Sequence, residues 1–253
     1  MTRPATRPTA AMLVIGDEIL SGRTRDANAH HLACEMTRIG VELVEIRMVR
    51  DDHAGIIEAV NQLRARVDHL FTSGGIGPTH DDITADAVAA AFGAPIDVRD
   101  DARALLEAHY ARTNRELNEA RLRMARIPEG ATLIDNPVSI APGFTLGNVH
   151  VMAGVPDIFR AMLEGVASRI EGGPPLLAHS FRCEIGEGDL AVPLRATAEA
   201  FPDVSMGSYP FGGGQGAILV LRSPDPARLA EAADALRAAL APLGGAKSET
   251  PPD

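Results

Sequence analysis

The segment Val67–Gly93, VDHLFTSGGIGPTHDDITADAVAAAFG, decides the fold. Its first seven residues form a short apolar run that reads as a strand. Its end, ITADAVAAAFG, reads as a helix stopped by Gly93. Between them lie Gly74, Gly75, Gly77, Pro78, Thr79, His80, Asp81 and Asp82. A strand, a glycine-rich loop and a helix in that order make one repeat of an α/β layer. Glycines without a Cβ let the backbone take up positive φ and approach a ligand closely. The loop has neither the lysine of a Walker A sequence nor the spacing of GxGxxG. Two readings stay open, a tight turn into the helix and a phosphate cradle built from backbone N–H groups. One of Asp81 and Asp82 is expected to be the helix N-cap. The other is free for a metal or a ligand hydroxyl.

Outward from this segment the pattern repeats. AAMLVIG, ending at Gly16, and VELVEIRMV read as strands. Ala29, Leu32, Ala33, Met36 and Ile39 fall at helical spacing before Gly40, and Ile56, Ile57, Val60 and Leu63 share one face of another helix. Downstream, APIDV is a short strand, and Asp100 or Asp101 is expected to cap a helical region running to about Arg126. ATLID and GFTLGNVHVMAG read as strands, the second as a hairpin around Gly147–Asn148. PDIFRAMLEGVASRI is a helix with Pro156 at its start. This alternation predicts an α/β fold, a three-layer, mostly parallel sheet whose ligands bind at the carboxyl ends of the strands. EGGPP, 171–175, is a linker, and a smaller βαββα domain follows. The expected organisation is a flexible tail over 1–9, a main domain over 10–172, a small domain over 176–243 and a disordered tail over 244–253.

The net charge of −10 argues against a nucleic-acid or acidic-membrane partner, which calls for a basic face. No apolar run approaches the roughly 18 residues that span a bilayer, and the start lacks a signal peptide's apolar stretch. Cys34 and Cys183 form no disulfide framework and read as packed thiols of a cytoplasmic protein. An acidic protein can hold phosphate through backbone amides or a bridging cation. Five strand-end loops supply glycines and acids with almost no lysine or arginine: GDEILSG (16–22), VRDD (49–52), the opening loop, NPVSIAPG (136–143) and MAGVPD (152–157). Such a set favours metal-assisted phosphate chemistry or ribose recognition. Asp17 and Glu18 also read as solvated loop acids, and Asp52 as a cap. Among the histidines, only His80 lies in a candidate loop; His30 and His31 sit about 100° apart on a helix.

Together, GDEILSG with RDAN, TSGGIGPTHDDIT, NPVSIAPG and AGVP resemble the molybdopterin-binding (MoaB/Mog-like) domain, most of all the version that opens the competence/damage-inducible protein A (CinA) family. The domain also resembles a part of eukaryotic FAD synthases. The resemblance covers about residues 10–172, and GEGDL and GSYP resemble the small unit that follows in CinA-type proteins. It implies a parallel-dominated α/β fold and homo-oligomers. For the CinA branch it implies hydrolysis of a dinucleotide-type pyrophosphate, such as ADP-ribose or FAD, with Mg, Mn or Co. For the pterin branch it implies adenylyl transfer to molybdopterin, and a third reading is a module that binds a nucleotide or pterin phosphate without turnover. By matching motif positions, Asp82 and Asp51 are the catalytic candidates, and Asp17, Glu18 and Asp82 the metal candidates. Gly74, Gly75, Gly77, Thr79, Asn28, Ser139, Gly143, Gly154 and Pro156 are the ligand-binding candidates. The sequence departs from the family pattern at Arg50 and Ala153, where proline is usual, at Ser139–Ile140 for Gly–Thr, and at Ala27 for Thr. A C-terminal nicotinamide-nucleotide deamidase domain would not fit, so that activity is expected to be absent.

Overall fold

The computed structural model describes residues 7–252. The chain divides into two units, Met1–Gly173 and Pro174–Asp253. In the first unit, strands β1 (Thr9–Ile15), β2 (Glu42–Val49) and β3 (His69–Ser73) run parallel with β8 (Val149–Met152). β7 (Gly143–Leu146) and β6 (Thr132–Ile134) continue the sheet antiparallel, giving the order β2-β1-β3-β8-β7-β6. A separate pair joins β4 (Ile96–Val98) and β5 (Arg126–Pro128). The helices are α1 (Asp17–Leu20), α2 (Asn28–Arg38), α3 (His53–Arg64), α4 (Thr84–Phe92), α5 (Asp100–Arg112), α6 (Glu119–Leu122) and α7 (Pro156–Ala167).

Why the central strands read as unbroken apolar runs is clear from their neighbours. Ala11, Leu13 and Ile15 of β1 pack into a core with Ile56 and Val60 of α3 and Val88 of α4. The alternate residues Ala10, Met12 and Val14 pack into a second core with Leu32 and Met36 of α2 and Phe159 and Met162 of α7. A strand covered on both faces has no solvent side to alternate with. The three-layer, mostly parallel sheet is therefore as the sequence implies.

Several local expectations are corrected. Arg7 and Pro8 are not tail: the Arg7 guanidinium donates to Gly40 O and Val41 O, Pro8 O accepts from Glu42 N–H, and β1 begins at Thr9; positions 1–6 lie outside the described residues. Gly173 N–H also donates to Gly40 O, and a Cβ on Gly172 would lie 1.8 Å from Ile39 O, so the chain leaves this unit where Arg7 enters it. The helical region from residue 100 stops at Arg112, where Asn114 adopts φ 51° and turns the chain. Its N-cap is Arg99, and Asp101 instead pairs with the Arg99 guanidinium. Asp52 caps α3, accepting from Gly55 N–H at 2.7 Å. Cys183 is buried but Cys34 is exposed, so the expectation of two packed thiols fails for Cys34.

The second unit contains β9 (Leu177–Cys183), α8 (Glu187–Ala200), β10 (Ser205–Phe211), β11 (Gly216–Ser223), α9 (Pro226–Leu240) and β12 (Ser248–Thr250). Its antiparallel sheet has the order β10-β11-β9-β12. The stretch expected to be a disordered tail supplies β12, which pairs with β9. Glu249 anchors it by accepting from the Arg237 guanidinium at 2.9 and 2.7 Å.

Candidate functional site

The carboxyl ends of β1, β2, β3 and β8 meet around a groove of ≈ 540 Å³, within the size range of small-ligand pockets. Its walls come from Gly16 and Glu18 after β1, Asp51 after β2, the Gly74–Asp82 loop after β3, and Ala153 to Pro156 after β8. Asn136 and Ser139 close it from the loop that precedes β7. The crevice beyond parallel strand ends is where such sheets bind ligands.

The glycines of the central loop are required by close packing. Gly74 adopts φ 108°, and a Cβ there would lie 2.2 Å from Ile15 O; Gly75 adopts φ 69°, and its Cβ would lie 2.1 Å from Thr84 Oγ1. Thr84 N–H donates to Gly75 O at 2.9 Å, so the first turn of α4 is tied back to the loop. Gly154 lies over Gly74, with 3.2 Å from its virtual Cβ to Gly74 Cα. Asn28 is buried and joins these ends: its Nδ2 donates to Ser73 Oγ and to Gly154 O, both at 2.8 Å. Its Oδ1 is buried without a partner.

Neither Asp81 nor Asp82 caps α4, whose N-cap is Ile83 with no side-chain bond. Asp82 instead turns back on the loop, accepting from Thr79 N–H at 2.8 Å and Thr79 Oγ1 at 2.5 Å. Thr79 Oγ1 also contacts the carboxylate of Asp81, which holds that carboxyl below the usual aspartate range. Thr79 thus shapes the loop and does not line the groove, whereas Asp82 does line it. His80 is fully exposed, 4.0 Å from Asp81.

The acids gather at one end. Asp51 is half-buried, and its Oδ2 accepts from Asp17 N–H at 2.8 Å. Burial pushes its carboxyl above the usual aspartate range, and the charges of Glu18, Asp17 and Asp81 push it the same way against that one hydrogen bond. Asp17 borders one depression with Glu18, Asp51 and Asp81 and is paired with Arg50, whose Nε and a terminal nitrogen donate to its two oxygens at 3.0 and 3.1 Å. That pairing lowers the Asp17 pKa. The Glu18 carboxylate folds over Gly16, within 2.7 Å of where a Cβ would sit. Among the described residues, no three His, Cys, Asp or Glu side chains form a ready-made metal cage. The donors that remain beside the groove are carboxylate oxygens, the hard ligands suited to Mg or Mn.

Two further site residues escape the sequence reading. Arg123 lies on the short 3₁₀ turn after α6, beside Gly75, Gly77 and Asp82. One terminal nitrogen donates to Asp82 O at 3.4 Å, and its Nε is buried without a partner. The run RLRMAR, read as a helix end, hides it, because its position depends on the chain returning from β4 to β5. Asn136 is buried, with its Oδ1 accepting from Val138 and Ser139 N–H and its Nδ2 donating to Ser139 Oγ and Ala141 O. An asparagine before proline that closes its own loop is a readable turn signal. Gly143, in contrast, is not brought to the groove. It opens β7, where a Cβ would lie 2.3 Å from Val151 O, so packing between β7 and β8 explains it. Ser139, Gly154 and Pro156 line the groove as expected. Among the described residues no helix is long and apolar enough to cross a membrane.

Comparison with known proteins agrees with this geometry. Residues 11–178 match the family described as "Probable molybdopterin binding domain", and residues 175–245 match "FAD synthase, middle domain". A protein of Pyrobaculum calidifontis is 36% identical over 81% of this chain and 82% of its own length. A CinA-like protein of Desulfosudis oleivorans is 39% identical over 68% of this chain and 43% of its own, so this chain spans less than half of that relative. The crystal structure of CinA from Thermoplasma acidophilum, 32% identical, superposes with a TM-score of 0.59 over 64% of this chain and 96% of that one. The chain belongs to the molybdopterin-binding domain family, is similar to CinA-like proteins, and continues in sequence with a unit that matches the FAD synthase middle domain.

Proposed function

We propose that the groove binds a nucleotide-type diphosphate and hydrolyses its pyrophosphate bond with the help of a divalent metal. The observation that carries this reading is Asp51, a half-buried carboxyl raised in pKa at the wall of a large groove, facing other carboxylates. A group so placed accepts a proton from water more readily than a free aspartate does. Glu18 and Asp81 would hold the metal, with Asp82 at the loop beside them. Magnesium is commonly bound through one or two carboxylates and the substrate's phosphates, which fits a site with acids but no closed cage. The metal would neutralise diphosphate charge and lower the pKa of water. Arg123, at the other side of the glycine loop, braces that loop through its bond to Asp82 O. Asp51 orients and deprotonates the attacking water, and Asn28 keeps the strand ends in register.

The test is product formation from ADP-ribose or FAD with Mg, Mn or Co, for the wild type and for Asp51→Asn. Absence of metal-dependent turnover on either substrate sinks the proposal. One observation favours a second reading, a module that holds a nucleotide or pterin phosphate such as molybdopterin without turnover: the Asp82 carboxylate is engaged by Thr79 and so already has a structural task. Saturable binding that persists in Asp51→Asn, without turnover in the wild type, selects it.

A further inference from the structure

The depression beside the groove measures ≈ 740 Å³. Asp17, Glu18 and Arg23 border it around α1, Arg50 and Asp51 after β2, and Asp81 from the glycine loop. Glu18, Asp51 and Asp81 also line the groove, so the two hollows share one acidic wall. Their cations are distributed unevenly. Among the described residues that line the groove there is no lysine or arginine, whereas the outer depression has both Arg23 and Arg50. The Arg50 side chain is 74% exposed and pairs with Asp17, and an exposed pair of this kind contributes little to stability. The pair uses Nε and one terminal nitrogen, which leaves other N–H groups of the guanidinium free. Position 50 is also where this sequence departs from the family pattern, since the usual proline has no side-chain donor to offer.

A diphosphate substituted at both ends carries two phosphates and two arms, and each hollow has room for one arm. We propose that Arg50, with Arg23 on the same depression, forms an outer subsite for the second phosphate, so that the pyrophosphate straddles the shared acidic wall. This rests on the diphosphate reading of the groove. One phosphate meets the glycine loop. The other accepts N–H bonds from the Arg50 guanidinium, whose planar fork suits two phosphate oxygens. Arg50 is then the specificity-determining residue that tells a diphosphate from a monophosphate. The four acids of the outer depression outnumber its two arginines and repel a bare diphosphate, so the subsite fills with the magnesium complex. A monophosphate occupies the groove alone and leaves Arg50 with Asp17.

The experiment is calorimetric titration of the full chain, in magnesium, with AMP and with α,β-methylene-ADP, whose P–C–P bridge resists hydrolysis. Circular dichroism checks the folding of each variant. Arg50→Ala is expected to weaken the diphosphate by roughly five- to tenfold, the exposed position discounted, and to leave AMP within about twofold. Arg50→Lys should lose less, and Arg50→Glu more. Raising the salt from about 0.05 to 0.3 M should weaken the diphosphate less in Arg50→Ala than in the wild type. Glu18 and Asp51 face both hollows, so a variant that merely disturbed their wall would weaken AMP as much. The same samples are assayed for products from ADP-ribose. Arg50-dependent binding of the diphosphate without turnover upholds the subsite and overturns hydrolysis. An Arg50→Ala variant that binds the diphosphate as the wild type does, or loses AMP equally, overturns the subsite even where ADP-ribose is cleaved. A wild type with no affinity for the diphosphate overturns both.

Discussion

At the scale of single residues, the roles proposed for Asp51 and Arg123 are told apart by substitution. Asp51 is raised in pKa by burial first and by neighbouring carboxylates next, so its ionised form is lost at a higher pH than an ordinary aspartate's. Activity that depends on it should fall as the medium is acidified through the carboxylate range. Asp51→Asn is expected to lower kcat by about 100-fold or more with KM little changed, because a base acts in the chemical step. Steady-state rates across pH check both statements. Arg123→Ala should act differently. Losing the bond that braces Asp82 O costs about 1 kcal/mol, so nucleotide diphosphate should bind roughly fivefold more weakly in calorimetric titration as the glycine loop loosens. Circular dichroism should show the variant still folded.

At the scale of elements, β3 and β8 place His69 beside His150, with Nδ1 of the first 3.2 Å from Nε2 of the second. His150 also contacts Thr145 Oγ1 at 3.0 Å and stacks near Phe71. Burial pushes its pKa down to about 4, with His69 adding to the shift. The folded state therefore binds fewer protons than the unfolded state between that value and the ordinary histidine pKa near 6.5. Stability is full above about pH 6.5 and declines as pH falls towards 4, by about 3 kcal/mol from this group. Urea unfolding at pH 7.5 and 4.5 should show that loss in the wild type and a smaller one in His150→Gln. The elements themselves were legible because β1 and β3 are apolar on both faces and their helices carry clear stripes. What was not legible depends on distant partners. One of Asp81 and Asp82 reads as a cap until Thr79 is seen to engage both carboxylates. Gly143 reads as a loop glycine until β8 lies against it. Ser248–Thr250 reads as tail until β9 offers an edge and Arg237 a charge.

At the scale of the whole molecule, the cores respect the division of the chain. Among the described residues, the two cores of the first unit are built from residues before Gly173, and the third core from residues after Pro174. Residues 7–173 made alone should fold, unfold in one cooperative urea transition, and bind nucleotide diphosphate within about twofold of the full chain. A molten or aggregated product would contradict this. The corner where Arg7 and Gly173 both bond Gly40 O has a consequence for how such a unit can be reused. Arg7 and Gly173 are neighbours at the amino ends of the strands, opposite the groove. The path is nearly a closed ring, so where it is cut matters little to what it holds. A circular permutant that joins these ends with a short linker and opens in the exposed turn at Arg115 should keep the groove intact. The unit can then be spliced inside another chain as readily as appended to one.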